Sequence, residues 1–262
     1  MDRTMNQVMD ILLKRKSMRE YEPREVSAEV RAEILQATLR APTAGNLTLY
    51  SILDVTDQAL KDKLVTTCDS QPFIATAPMV WVFLADYQRW VDYFHVSGVE
   101  ELCAQRGESL VKPEEGDLLL ACCDALIAAH TAVVAAESFG LGSCYIGDII
   151  ENFEIHREMF NLPQYTIPIC MVVFGYPTQE QKDREQTPRF DEKFVVFENQ
   201  YKHLSKSEFD EMFAERQKLI PKKRIEEGID TFGKATYLRK FSAEYSIEMR
   251  RSAKSMLRAW MK

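Results

Sequence analysis

From Asp117 to Phe139 the chain is apolar nearly all the way round a helical wheel, from Leu118-Leu119-Leu120-Ala121-Cys122-Cys123 to Ala135-Ala136. A helix without a polar face has to be covered on every side. It therefore runs through a domain centre or is shared across a subunit interface, and Gly140 and Gly142 mark its end. Met79–Ala85 is a second continuous apolar run, opened by Pro78, and reads as a central strand buried on both faces. Together they call for one large core. A chain of 262 residues with 46% hydrophobic content can supply it. No apolar run is read as approaching the ~20 residues of a membrane span, and no signal core opens the chain, so a cytoplasmic protein is expected.

Shorter signals fill in the rest. Thr4-x-x-Gln7 resembles a capping box, and Met5, Met9, Leu12 and Leu13 share one face of a helix ending near Lys14. Ser27 caps a second helix, stopped by Pro42. Tyr50–Val55 and Ile167–Phe174 read as strands, 86–116 as a helix followed by a loop, and Phe194–Phe197 as a short strand. Beyond residue 200, Ser205-x-x-Glu208 caps a helix, and Ser246 begins a last one with a stripe of Met249, Ala253, Met256, Leu257 and Trp260. This tail packs on the main domain or wraps a partner.

A formal net charge of −7 argues against binding nucleic acid or an anionic membrane, so an anionic ligand needs a local cationic pocket. The six cysteines form no C-x-x-C pair and read as free, mostly buried thiols. Four scattered histidines give a metal site little to build on. P-loop, zincin, nucleophile-elbow and calcium-loop motifs are missing. Gly140-Leu141-Gly142 starts like a dinucleotide fingerprint, but Tyr145 stands at the third glycine and a helix precedes it.

Two polar segments carry chemistry instead. In Arg15-Lys16-Ser17-Met18-Arg19, alternate residues of an extended chain project to one side, so Arg15, Ser17 and Arg19 can converge on one anion. Guanidinium forks suit phosphate; a basic helix end facing water is the plainer reading. The loop Ala41-Pro42-Thr43-Ala44-Gly45-Asn46 offers close-approach backbone and an amide for ring heteroatoms. Together they suggest a phosphorylated, planar redox cofactor. Gln71-Pro72, Gly142–Asp148 and Thr187-Pro188-Arg189 add an amide, a backbone turn and a cation.

In this order and spacing, from about residue 5 to 201, the segments resemble the FMN-dependent nitroreductase family, in its branch of NADPH-preferring nitroreductases and flavin reductases. The branch pattern [HR]-R-S-x-R stands here as Arg15–Arg19, and A-P-[ST]-x-x-N as Ala41–Asn46. G-L-G-x-x-Y-I-G stands as Gly140–Gly147, and K-P-R…V-x-x-E-N-x-Y as Thr187-Pro188-Arg189 through Val196–Tyr201. The resemblance implies an α+β fold with a mixed, mainly antiparallel sheet flanked by helices, and a C-terminal helical arm exchanged in a homodimer. Residues 1–201 would form the FMN-binding domain and 202–262 a helical extension on the same domain or the partner. Arg15, Lys16, Ser17, Arg19 and Arg189 would hold the FMN phosphate and ribityl chain. Thr43, Ala44, Asn46 and Gln71 would line the ring and ribityl groups, with Tyr145, Ile146 and Gly147 near the ring. Thr187 replaces the usual lysine, and Asn46-Leu47-Thr48-Leu49-Tyr50 departs from the amide-rich N-x-Q-P-W continuation.

The resemblance implies NADPH or NADH as co-substrate and a small aromatic acceptor such as a nitroaromatic, a quinone or a flavin. With the flavin carrying the chemistry, a missing triad or metal cluster is expected. Backbone amides and Asn46 or Gln71 are expected to donate to the ring's pyrimidine edge. Arg239, Arg250 or Arg251 could meet a 2′-phosphate, although a solvated helical face suits each better. A flavin-binding protein without turnover, for storage or regulation, is the alternative function.

Overall fold

The computed structural model describes residues 6–262. In chain order it forms α1 (Gln7–Lys14), α2 (Ala28–Thr38), β1 (Tyr50–Asp54), α3 (Gln58–Thr67), α4 (Phe73–Thr76), β2 (Met79–Asp86), α5 (Gln88–Val96), α6 (Val99–Arg106) and α7 (Glu115–Ser138). There follow β3 (Gly142–Ile146), α8 (Phe153–Met159), β4 (Thr166–Gly175), α9 (Gln179–Asp183), α10 (Lys206–Gln217), α11 (Lys222–Glu226), α12 (Phe232–Thr236) and α13 (Glu244–Trp260). The expected Thr4 cap lies outside the described residues. At α1 Asn6 caps instead, its Oδ1 accepting from the Met9 amide at 2.9 Å.

The sheet is antiparallel throughout, in the order β1-β2-β4-β3. Every residue of β2 is buried, as its unbroken apolar run requires. Its side chains alternate between two cores. Met79, Trp81 and Phe83 face α7 and the alanines Ala125, Ala128, Ala129, Ala132 and Ala136. Val80, Val82 and Leu84 face Leu64, Ile74, Cys144 and Ile149. Pro168 lacks an amide for the ladder, and β4 takes a bulge there, pairing Phe83 with Cys170 but Leu84 with Pro168.

The greasy helix α7 differs from the sequence reading in two ways. By length and composition it could cross a membrane, contrary to the expectation that no run approaches that size. It is nevertheless a core helix on its alanine face, where buried Asp124 holds two backbone amides. It is also not covered on every side: Leu119, Leu120, Leu126 and Ile127 lie exposed. Val8, Met9, Leu12 and Leu13 of the adjacent α1 are exposed as well.

By contacts the chain divides into two compact units, one running through Arg184 and resuming at Glu248, the other spanning Glu185–Ile247. The sequence reading had drawn its boundary at residue 201. In the first unit the end of α13 is built into the core. Trp260 is fully buried, edge-on to Tyr165 at 5.3 Å, and its indole N–H donates to the Glu114 carbonyl. The second unit has the Ser205–Glu208 capping box and a small aromatic nucleus of Phe190, Phe213 and Phe232. Phe194–Phe197 is not a strand; a single helical turn, Glu192–Phe194, stands there, because the β-branched run has no neighbour to pair with. Residues 86–116 hold two helices, α5 and α6, where one was read.

Candidate functional site

Residues 15–21 leave α1 as an extended strap along the β3 edge of the sheet. Ser17 bridges Ser143, the Met18 amide donates to the Ser143 carbonyl at 2.9 Å, and Tyr21 bridges Pro177. Two glycines make this contact. A Cβ on Gly142 would stand 2.4 Å from Met18 Cγ, and one on Gly175 would stand 2.7 Å from the Tyr21 ring and from Pro78 Cδ. The strap thus lies where no larger residue fits. Gly142 serves close packing, not a dinucleotide turn. The Tyr21 hydroxyl closes the strap on itself by donating to the Met18 carbonyl at 2.8 Å.

Met18 points into the core while Arg15, Ser17 and Arg19 all come within electrostatic or hydrogen-bonding reach of the Cys144 thiol. Burial pushes that thiol up, and Arg19, Ser17 and Arg15 pull it back. Arg15 also sits beside Glu137 of α7, a carboxyl that burial raises to about 7 despite the guanidinium. Lys16 turns the other way. Its ammonium is held by the carbonyls of Lys182, at 2.6 Å, and Arg184, so its role here is to fasten the strap to the end of α9. The Arg184 guanidinium donates to the Ser17 carbonyl, and Gln181 Oε1 accepts from the Arg19 amide at 3.2 Å.

Gly142–Asp148, expected as a backbone turn that could lie against a ring or simply stop a helix, is mostly strand β3 (Gly142–Ile146). From Ser143 to Gly147 the chain advances four residues, ~13 Å of strand, away from the strap. Tyr145 is half-buried, Ile146 is buried, and Gly147 is exposed with open space where a Cβ would stand. Gln71 meets this turn. Its Nε2 donates to Asp148 Oδ2 at 2.7 Å and to the Cys68 carbonyl at 3.0 Å. Both amide hydrogens are spent, so Gln71 has only an acceptor left and cannot be the ring-edge donor expected of it. Next to Asp148, the buried carboxyl of Glu151 is raised to about 8 by burial and by the Asp148 charge.

The Thr43–Asn46 loop lies elsewhere. It feeds β1, whose Tyr50 pairs with Ala85 and, through β2, faces Ile167. The strap lies at the opposite, Gly175 end of β4, ten residues or ~30 Å of strand away. Asp124 shapes the loop from beneath, accepting from the amides of Ala44 at 2.9 Å and Leu49 at 3.1 Å. Gly45, Asn46 and Thr48 all adopt left-handed backbone. Such conformation in a β-branched residue is held only by its surroundings; the Thr48 amide donates to Thr43 Oγ1 at 3.0 Å and its carbonyl accepts from Arg89 at 3.1 Å. Asn46 is exposed and Ala44 half-buried. An Asp in the apolar middle of a long helix is the sequence signal for this brace.

Arg189 belongs to the second unit, where it is exposed and donates to the Thr187 carbonyl at 3.3 Å. Arg251, one of the three arginines weighed for a 2′-phosphate, is committed to Glu154 and Glu248 at 2.8–2.9 Å. Its hydrogen bonds hold the Glu154 carboxyl down at about 2. Among the described residues no cluster of His, Cys, Asp and Glu could hold a metal ion.

A donor set of two guanidinium groups and a hydroxyl suits a phosphate tail, and an exposed glycine turn beside a fixed carboxamide acceptor suits the edge of a flat ring. Those residues fit FMN. An antiparallel sheet around one long alanine-faced helix, with a cationic strap at its edge, marks a protein built to hold such a cofactor. The profile of the nitroreductase family matches residues 12–176, and the chain belongs to that family. It is 30% identical over 80% of its length to an oxygen-insensitive NADPH nitroreductase of Salmonella typhimurium, of which 82% is covered. It is equally 30% identical to an NADPH-flavin oxidoreductase of Vibrio harveyi, over 77% of each chain. The crystal structure of nitroreductase A from Vibrio parahaemolyticus shares the fold, with a TM-score of 0.78 at 24% identity, over 97% of this chain and 98% of that one.

Proposed function

We propose that this chain is an NAD(P)H-dependent flavoprotein oxidoreductase, acting as a cytoplasmic homodimer with FMN between the subunits. When bound, FMN supplies a ring that takes hydride from NADPH or NADH and passes it to a nitroaromatic, quinone or flavin in alternate half-reactions. Arg15, Ser17 and Arg19 hold its phosphate and ribityl chain. The backbone at Tyr145, Ile146 and Gly147 and the Gln71 carboxamide meet the ring, while Thr43, Ala44 and Asn46 close over it from the partner.

The observation that carries this reading is the split of the strap and the Thr43–Asn46 loop between the two ends of one sheet. A single protomer offers the strap at one end and the Thr43–Asn46 loop at the other, with the Gly147 turn about midway along β4. A two-fold axis brings one protomer's loop to the other's strap, and an isologous contact needs the self-complementary apolar surface that α1 and α7 leave uncovered. The names of the Salmonella and Vibrio relatives support the choice of nicotinamide and flavin chemistry. The test is the absorbance spectrum of the purified protein before and after anaerobic NADPH. Bleaching of a flavin band, restored by a quinone or nitroaromatic, is expected. A yellow protein that NADPH leaves unbleached would favour storage or regulation, and a colourless one that FMN does not stabilise would refute both.

A further inference from the structure

Besides bearing on Glu151, Asp148 is bonded to Gln71, and that bond decides what Gln71 can recognise. Asp69 and Ser70, both with left-handed backbone, turn the chain just before Gln71. The carboxamide then meets two acceptors, Asp148 Oδ2 at 2.7 Å and the Cys68 carbonyl at 3.0 Å. Inverting it would set Oε1 against two oxygens, so its orientation is fixed by chemistry. The aspartate is itself held at the start of the helical turn Gly147–Ile150, where its carbonyl accepts from the Glu151 amide at 3.0 Å.

We propose that Asp148 is a positioning residue: it fixes the Gln71 carboxamide with Oε1 outward, so that the site reads an N–H donor on the cofactor ring. Oxidised isoalloxazine has one such donor, N3–H; its other ring-edge heteroatoms, N1, O2, O4 and N5, only accept. A carboxamide free to rotate would serve either kind of partner and discriminate neither. Removing Asp148 leaves the Cys68 carbonyl as the sole restraint, and the amide can then turn its Nε2 to a ring oxygen. The inference rests on the FMN site proposed above.

The test compares binding of FMN and 3-methyl-FMN, which lacks the N3 proton, to the flavin-stripped full chain. Wild type is expected to prefer FMN by about tenfold or more, the effect of leaving a buried acceptor unpaired. Asp148→Ala should lose most of that preference. Asp148→Asn removes the charge but keeps an acceptor for Gln71, and should retain it, which separates positioning from electrostatics. Equal preference in wild type and Asp148→Ala would overturn the proposal. Failure of wild type to bind FMN at all would instead remove the site itself. A measurement that needs no variant is the N3–H resonance of bound, isotope-labelled FMN. Slow exchange with water is expected, and exchange as fast as in free FMN would overturn the assignment.

Discussion

Gly175→Ala tests whether the strap is held by shape. The new Cβ would stand 2.7 Å from Cγ and Cδ1 of Tyr21 and 2.7 Å from Pro78 Cδ. Carbon atoms rest at ~3.5–4.0 Å, so about 1 Å has to be recovered on two sides at once. Neither neighbour yields easily: Pro78 is a closed ring, and the Tyr21 hydroxyl is tied to the Met18 carbonyl. Overpacking of this kind costs ~1–3 kcal/mol, and loss of the tyrosine hydrogen bond adds ~0.5–1.5 kcal/mol. A total of ~3 kcal/mol lowers the Tm by ~6–12 °C for a domain of this size. Thermal unfolding of the FMN-free protein measures it. Adding Tyr21→Ala removes the ring that the methyl strikes, so the double variant should be less destabilised than the sum of the singles by ~1 kcal/mol or more. Strict additivity, or a wild-type Tm for Gly175→Ala, would refute the reasoning.

Arg19→Ala should weaken FMN binding by ~1.5–3 kcal/mol, roughly ten- to a hundredfold in Kd, the usual worth of a charge-assisted contact; flavin-fluorescence titration reads it, and an unchanged Kd would remove the strap from the site. His156 is buried, with Nδ1 3.0 Å from the Ile149 carbonyl and Nε2 2.8 Å from Thr67 Oγ1, and burial lowers it from the ordinary 6.5 to about 4. Between those values the unfolded chain binds the extra proton, so this residue's contribution is complete above pH 6.5 and is lost as pH falls through 4, by up to ~3 kcal/mol. Glu137 and Glu151, both raised, tilt the same range the other way. The informative quantity is therefore the difference in denaturant stability between wild type and His156→Gln, which should shrink from pH 7 to pH 4; a constant difference would contradict the assignment.

Where residues act through local pattern, the sequence announced them. The unbroken run Met79–Ala85 is β2, and Ser27 and Ser205 cap the helices expected of them. Where a residue acts through a distant partner, it did not. β3 was read as a turn because Gly142 is a poor strand residue; only the strap, more than a hundred residues earlier, explains why glycine is needed. Val195-Val196 has strand propensity but no strand to join. Asp124 and Asp148 stand in segments with no local pattern that calls for an acid, and each bonds an amide about eighty residues away. The site was legible as a set of parts, and their division between two ends of a sheet was not.

The fastenings at Lys16 and Arg251 bear on how this protein can vary. The chain leaves the first unit just after Arg184, where Lys16 grips the last carbonyls of α9, and returns at Glu248, which Arg251 ties to Glu154. Both fastenings join residues of the first unit to one another. Lengthening such an excursion twofold costs only ~0.6 kcal/mol of closure entropy. Residues 185–247 are thus an excursion that can lengthen or shorten at little entropic cost while the frame that carries it stays put.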